Sequence, residues 1–499
     1  MPESHMNLIG GRRVPARSGR TYASINPADR DDVVGEFPRS DSADVDDAAA
    51  AAWKAYPGWR RTPPPVRGEI ILRAALLLRE RKEELARLMT REMGKVLKEA
   101  RGDVQEAIDM GEFVAGMGRR PFGEAIPSEL PDKISFTWRE PVGVVGLITP
   151  WNFPIAIPSW KTFPALMAGN AIVFKPAEDT PLCAQRFIET LFEAGVPEGV
   201  INVVHGYGEE AGKALVDHPG IRALSFTGSS ETGRLIAEAC GRSLKRVSME
   251  LGGKNAIVVM DDAEIELALD GAQWAAFGTT GQRCTAASRL IVHEAVLEDF
   301  SGQLRKRAEA MKIGSGLDET VELGPIVNER QLERVHSYTE VGSSEGARLL
   351  TGGQMLTEGH LGRGFFYAPT IFTEVQPRMR IAQEEIFGPT VAIMAVGSLD
   401  QALEYANSTA YGLSLSIYTR DINRAFKAMR ELDAGIVYIN APTIGAEIQL
   451  PFGGVKNTGN GHREAGSTAL DEFSEWKSIY VDYSGRLQRA QIDTAPVDQ

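Results

Sequence analysis

Short apolar runs that alternate with amphipathic stretches constrain this chain more than any other feature. VGVVGLITP (142–150), NAIVFKP (170–176), INVVHG (201–206), ALSFTGS (223–229) and KNAIVVM (254–260) are five such runs. Runs this short and this apolar suit strands covered on both faces, as in a parallel sheet. Helical patterns occupy 181–194, 208–217 and about 230–241, with a turn at GVPEG (195–199). Parallel neighbours need such crossovers, so residues 142–260 predict a doubly wound parallel sheet. A second alternation follows: helix 264–278, strand 288–293, helix 295–311, strand 390–396, helix 400–407, strand 414–419, helix 421–432 and strand 435–440. The fold class is therefore α/β, with two α/β domains in sequence.

Upstream, DSADVDDAAAAAWKAY (41–56) reads as a helix with an acidic start, and 64–118 carries long helical patterns. KISFTWRE (133–140) and WKSIYVDYS (476–484) alternate like exposed strands. An edge strand near a terminus invites pairing with another subunit.

Composition narrows the function classes. A chain of 499 residues, 43% hydrophobic, can bury a core without disulfide staples. Its net charge of −13 argues against a general nucleic-acid binder. The three cysteines, Cys183, Cys240 and Cys284, show no C-x-x-C spacing, which fits free thiols in a reducing, cytoplasmic compartment. No metal-ligand spacing is read. No apolar run approaches a membrane span, and MPESHMNLIGG lacks the apolar core of a secretory signal.

Cys284 stands in GTTGQRCTA (278–286), where Gly278 and Gly281 bracket a polar turn after a predicted helix. A thiol on a tight loop can be approached by a carbonyl carbon. Thiolate attack on an aldehyde gives a thiohemiacetal, which can lose hydride to leave a thioester that water hydrolyses. An ordinary thiol has a pKa near ~8.5, so an activated one needs help from its surroundings. The bland reading, a structural cysteine, fits most isolated cysteines.

Here the neighbouring motifs change the odds. TPWNFP (149–154), KPAE (175–178), FTGS (226–229), MELGGKN (249–255), GQRCTA (281–286), EEIFGP (384–389) and PFGGVK (451–456) occur in this order over about 300 residues. Together they resemble the aldehyde dehydrogenase superfamily. The resemblance implies that Cys284 is the nucleophile, Glu250 the general base and Asn152 an oxyanion-stabilising amide. Apolar Met249 and Leu251 beside Glu250 could raise its pKa toward neutrality. It also implies a variant Rossmann site without G-x-G-x-x-G. Gly228 and Gly233 would shape a helix N-terminus that receives a pyrophosphate, with Ser229 and Trp151 beside it. Lys175 and Glu178 would meet the adenosine ribose, although an i, i+3 charge pair is the plain alternative. Glu385 and Phe387 would lie near the nicotinamide ribose and ring. A carboxylate at Glu178 accepts a ribose hydroxyl but repels a 2′-phosphate, so NAD is expected over NADP, with NADP possible.

For the substrate, Arg283 could pair with a carboxylate, the plain alternative being an Arg tied into a structural salt bridge or turned to solvent, and Phe153 and Phe452 could wall the aldehyde. NAPTIGAE (440–447), GHREAG (461–466) and VQEAID (104–109) resemble the branches acting on 2-aminoadipate semialdehyde and 2-oxoglutarate semialdehyde. In that comparison Glu106 is an ammonium partner, while QLPFGGVK (449–456) departs toward general aldehyde dehydrogenases. Lys161 is expected near the site without a defined role. The alternatives are a CoA-acylating relative and a non-catalytic structural protein on the same fold. The implied architecture is a cofactor domain from 1–122 and 142–252, a catalytic domain from 253–467, and oligomerisation segments 123–141 and 468–492. The expected partners are an aldehyde and a second copy of the chain, as homodimer or homotetramer, with no nucleic acid and no membrane.

Overall fold

Four of the five apolar runs become adjacent parallel strands. The computed structural model describes residues 3–120 and 122–493. In it Ala223–Thr227, Val144–Ile148, Ala171–Lys175 and Ile201–Val203 lie side by side in that order. The second and third of these strands are buried at every position, as expected for strands packed on both faces. The fifth run, Asn255–Val259, does not join them; it begins a second sheet. Its place at the edge is taken by Arg246–Glu250, which pairs in register from Ala223↔Arg246 to Thr227↔Glu250. Apolar periodicity passes over RVSME because Val247 and Met249 are its only apolar residues. The hydrogen-bonding edge of its neighbour makes it a strand. At the opposite edge Asn7–Ile9 and Arg12–Val14 add antiparallel.

The second sheet runs Arg348–Thr351, Thr370–Thr373, Thr390–Val396, Ala287–His293, Asn255–Val259, Ser414–Tyr418, Ile436–Ile439. Only its first pair is antiparallel. A separate antiparallel sheet joins Ser474–Asp482 to Lys133–Pro141 over nine paired residues, with Ala125–Pro127 beyond. Trp138, Trp476 and Tyr480 of this sheet are exposed.

Two helices depart from the sequence pattern for physical reasons. Ser42–Arg61 continues through Pro57, where periodicity alone would stop. Pro57 forfeits one backbone bond. Buried Trp59 and the Trp53 Nε1–H bond to Gly220 O at 2.8 Å hold the last turns to the sheet. Residues 208–217 are not one α-helix. Gly208–Gly212 is a π-turn, with Gly212 N–H donating to Tyr207 O at 3.2 Å, and Lys213–Asp217 follows as a single α-turn.

Two further helices position the site. Leu97–Met117 packs beside Ala156–Ala168, which follows the PWNFP loop. The carboxyl ends of strands 144–148, 171–175 and 223–227 lead directly into Thr149–Pro154, Pro176–Glu178 and Gly228–Ser229. Ligands of open α/β sheets bind at that end.

Candidate active site

Cys284 lies on a turn between the short helical turn Gly278–Gly281 and the strand Ala287–His293. Gly281 has φ 67°, and a Cβ there would come within 2.1 Å of Gly388 O, so only glycine fits. Asn255 Nδ2 donates to Cys284 O at 2.7 Å and to Ala286 O at 2.9 Å, fixing the turn on the second sheet. Glu250 ends the edge strand of the first sheet, and only Leu251–Lys254 separate it from Asn255. The two residues therefore meet where the sheets meet. Cys284, Glu250, Thr227, Phe153, Phe452 and Arg283 line one narrow cavity of about 100 Å³. Past Phe153, Glu106 and Arg283 it opens into a mouth of about 860 Å³.

The electrostatics differ from the sequence expectation. The surroundings of Cys284 do not activate its thiol in this state. Burial and the charges of Glu250, Glu385 and Glu106 push it up to about 12. Glu250 is likewise held well above the usual carboxylate range, by burial first and then by Glu464 and Glu472, against the pull of Lys161 and Arg463. The neighbouring carboxylates thus add to a shift that Met249 and Leu251 alone were expected to cause. Both carboxyl oxygens of Glu250 are buried without a hydrogen-bond partner among the described residues. Such a group is free to take a proton from a molecule entering the cavity.

Asn152 is buried, and its Nδ2 donates one hydrogen to Gln282 O at 3.0 Å. Its second amide hydrogen is left for another acceptor. Phe153 lies under Lys95, whose Nζ is 3.9 Å from the ring centroid, and beside Arg283, whose guanidinium carbon is 5.5 Å from it. Phe452 packs edge-on to Trp160 at 5.0 Å. Arg283 is not free: its guanidinium donates to Glu99 at 3.0 Å and to Thr279 Oγ1 at 2.9 Å. Its side chain still faces both the cavity and the mouth. Glu106 reaches the same wall, where burial and the charge of Asp103 raise its carboxyl to about 8. A carboxyl in that state is mostly protonated at neutral pH, which weakens its expected part as an ammonium partner.

Gly228, Ser229 and Gly233 stand where a strand of the first sheet meets a helix N-terminus, an arrangement suited to a phosphate group. Gly233 packs against Leu251 so tightly that a Cβ would come within 2.5 Å of its side chain. A Cβ on Gly228 would meet the Phe226 ring at 2.5 Å. Both positions bring helix Ser230–Arg242 close to the strand ends, and Ser229 caps it through Thr232 N–H at 3.2 Å. Lys175 Nζ donates to Glu178 at 2.8 Å, so the plain i, i+3 pair is present in this state. Burial opposes ionisation of Glu178, but the Lys175 ammonium prevails and its carboxyl is held below the usual range. Trp151 and Phe387 meet edge-on at 5.4 Å, and Phe387 holds φ 62°. Glu385 accepts from Gly253 N–H at 3.0 Å, and burial raises its carboxyl.

Sequence reasoning missed a buried polar network under the base. Lys161 Nζ donates to Ser225 Oγ at 2.7 Å and to Glu464. Glu472 accepts from Ser248 Oγ at 2.8 Å and from Ser225 Oγ at 3.3 Å. Burial and the charge of Glu464 bring Glu472 to about 7. Glu464 stands 303 residues after Lys161, and Glu472 stands 247 and 224 residues after Ser225 and Ser248, so no local pattern announces them.

Comparison with known proteins agrees with this geometry. The model of the aldehyde dehydrogenase family matches residues 14–479. The chain is 43% identical over 478 residues to the alpha-ketoglutaric semialdehyde dehydrogenase of Bacillus subtilis (strain 168), covering 96% of this chain and 98% of that protein. It is 42% identical to the alpha-ketoglutarate semialdehyde dehydrogenase of Haloferax volcanii, covering 97% and 100%. The crystal structure of betaine aldehyde dehydrogenase from Staphylococcus aureus with NAD+ superposes with a TM-score of 0.95 at 35% identity, covering 97% of this chain and 96% of that one. Among the described residues, no helix is long and apolar enough to cross a membrane. The chain belongs to the aldehyde dehydrogenase family and is an NAD(P)-dependent aldehyde oxidoreductase.

Proposed function

We propose that this enzyme oxidises a short aldehyde ending in a carboxylate, 2-oxoglutarate semialdehyde in the first instance, to the acid with NAD. The observation that carries this reading is Arg283. It stands one residue before the thiol, in the wall shared by the cavity and its mouth, with only part of its donor set used by Glu99 and Thr279. A guanidinium has five N–H donors, so donors remain for a substrate carboxylate. Glu106, mostly protonated, would donate to an oxo or carboxylate oxygen rather than attract an ammonium. That favours the oxo acid over 2-aminoadipate semialdehyde. The names of the B. subtilis and H. volcanii relatives support the same choice.

The steps assigned to this chain are these. Cys284 Sγ attacks the aldehyde carbon as its proton passes to the Glu250 carboxylate. The second Asn152 amide hydrogen and the Cys284 backbone N–H receive the developing alkoxide. A nicotinamide cofactor, when bound, would supply the hydride acceptor that turns this adduct into the thioester. Gly228, Ser229, Gly233, Trp151, Lys175, Glu178, Glu385 and Phe387 would hold it. The placement of Glu178 beside Lys175 supports NAD over NADP. Glu250 then activates water against the Cys284 thioester. Its unpartnered carboxyl in the cavity favours water over CoA as the acyl acceptor. We read 1–122 with 142–252 as the cofactor domain, 253–467 as the catalytic domain, and 123–141 with 468–492 as oligomerisation segments. The exposed aromatics of strands Lys133–Pro141 and Ser474–Asp482 support a homodimer or homotetramer. The three free cysteines support a cytoplasmic location.

The test is a panel of aldehydes assayed for NADH formation with NAD or NADP, with and without CoA. The expected result is the highest kcat/KM for 2-oxoglutarate semialdehyde, a preference for NAD, and no dependence on CoA. A plain alkanal as the best substrate would overturn the substrate assignment. Arg283→Ala should raise KM for the carboxylate-bearing aldehyde by roughly tenfold to a hundredfold, the value of a charge-assisted pair, and leave KM for propanal little changed. Equal effects on both substrates would count against Arg283 as the carboxylate partner.

A further inference from the structure

Glu99, Asp103 and Glu106 recur at i, i+4 and i+7 on helix Leu97–Met117, so they share one face. Glu106 lines the cavity, as described. The other two grip the loops on either side of it.

Glu99 lies over the turn that precedes the nucleophile. Thr279 N–H donates to both of its oxygens, at 2.9 and 2.8 Å, and Thr279 Oγ1 donates to it at 3.2 Å. The Arg283 guanidinium donates to the same carboxylate at 3.0 Å and to Thr279 Oγ1 at 2.9 Å, closing a ring of three side chains. The turn needs such a clamp. Thr279 and Thr280 stand at φ 51° and 57°, in the left-handed region that β-branched residues rarely occupy. Strain of this kind persists only where the surroundings over-determine it.

One helical turn further, Asp103 pairs with Lys95 at 2.8 Å, both side chains fully buried. Its other oxygen accepts from Ala156 N–H at 2.8 Å, where the loop carrying Asn152 enters its helix. The bond from Asn152 Nδ2 to Gln282 O then ties that loop back to the nucleophile turn. One helix face thus sets the spacing of the thiol from the amide that would stabilise its adduct.

We propose that Glu99 is a positioning residue: it holds the Thr279–Thr280 turn in its strained form and thereby places Cys284 for attack. The proposal rests on Cys284 being the nucleophile. Glu99 acts through Thr279 and Arg283 and touches no reacting atom.

The experiment uses the full chain with Glu99→Ala and Glu99→Gln. It measures kcat and KM with propanal and NAD, and the rate at which iodoacetamide alkylates Cys284, located by peptide mass mapping. Glu99→Ala should lower kcat and slow alkylation by about tenfold or more, as expected for a misplaced nucleophile, while the KM for NAD stays within about twofold. Glu99→Gln keeps an oxygen for Thr279 N–H and should restore kcat to within about fivefold of the parent. Two results overturn the proposal: Ala-variant rates within about twofold of the parent, or a folded Gln variant that loses more than about fivefold. Should Glu99→Ala not fold, the Gln variant decides alone by the same limit. NADH formation by Cys284→Ala would strike the nucleophile assignment instead, whatever the Glu99 variants do.

Discussion

Cys284→Ser is expected to reduce NADH formation by roughly a thousandfold or more, the scale on which loss of a covalent nucleophile acts. NAD binding, followed by quenching of tryptophan fluorescence, should persist, because most of the residues proposed to hold it, Lys175, Glu178, Gly228, Ser229 and Gly233, lie at the strand ends of the other sheet. The size of the effect follows from the cavity. Its walls offer Cys183 and Cys240 no access, since both are fully buried in hydrophobic clusters elsewhere. A serine hydroxyl is a far weaker nucleophile than a thiolate, and the carboxylates that push the Cys284 thiol to about 12 would also oppose an alkoxide. Activity within tenfold of the parent would remove Cys284 from the mechanism.

Glu250→Gln should be nearly as damaging, by roughly 10²- to 10⁴-fold in steady-state kcat, the usual worth of a general base. The transient tells which proton is lost. One equivalent of NADH formed quickly, followed by a stall, marks failure to hydrolyse the thioester. No burst marks failure to deprotonate the thiol. The pH dependence has a definite sign. Burial and the charges of Glu464 and Glu472 raise the Glu250 carboxyl well above its ordinary 4.5, so the parent rate should climb as pH rises through the raised value and not through the ordinary one. The Gln variant should lose that limb. Stability runs the other way. A carboxyl raised in the folded state binds its proton more tightly there, so its contribution is complete below 4.5 and fades as pH rises toward the folded value. Glu250→Gln should therefore melt at or above the parent temperature at pH 8. An undiminished steady-state rate at pH 7 and pH 9 would sink the assignment.

Much of this was legible in the sequence where the physics is local. Runs such as Val144–Ile148 and Ala171–Lys175 are apolar because both faces are covered, and period alone finds them. Cys284 was legible because GQRCTA stands in order with six other motifs that resemble one family, while Gly278 and Gly281 mark only the turn before it. What failed to show was set by pairing across distance. Arg246–Glu250 is a strand only because Ala223–Thr227 offers it an edge. Asn255–Val259 looks like its four predecessors yet begins the second sheet, and local pattern does not encode sheet membership. Glu99 and Asp103 carried a readable signal in their i, i+4 spacing. That spacing says which face they share, not what the face meets. Glu464 and Glu472 gave no signal, because burial of a carboxylate is decided by residues hundreds of positions away.

The same network bears on how the chain is made. Ser225 and Ser248 wait for an acceptor 247 and 224 residues downstream, and Lys161 for one 303 residues downstream. Asn170, at the start of a central strand, likewise bonds Phe473 O at 2.8 Å. During synthesis Lys161 and Ser225 leave the ribosome with only each other as partners in this network. They stay so until residues 464–474 emerge and thread back across the first sheet. Closing so long a loop is entropically slow, so the segment written last is the one that seals the part written first.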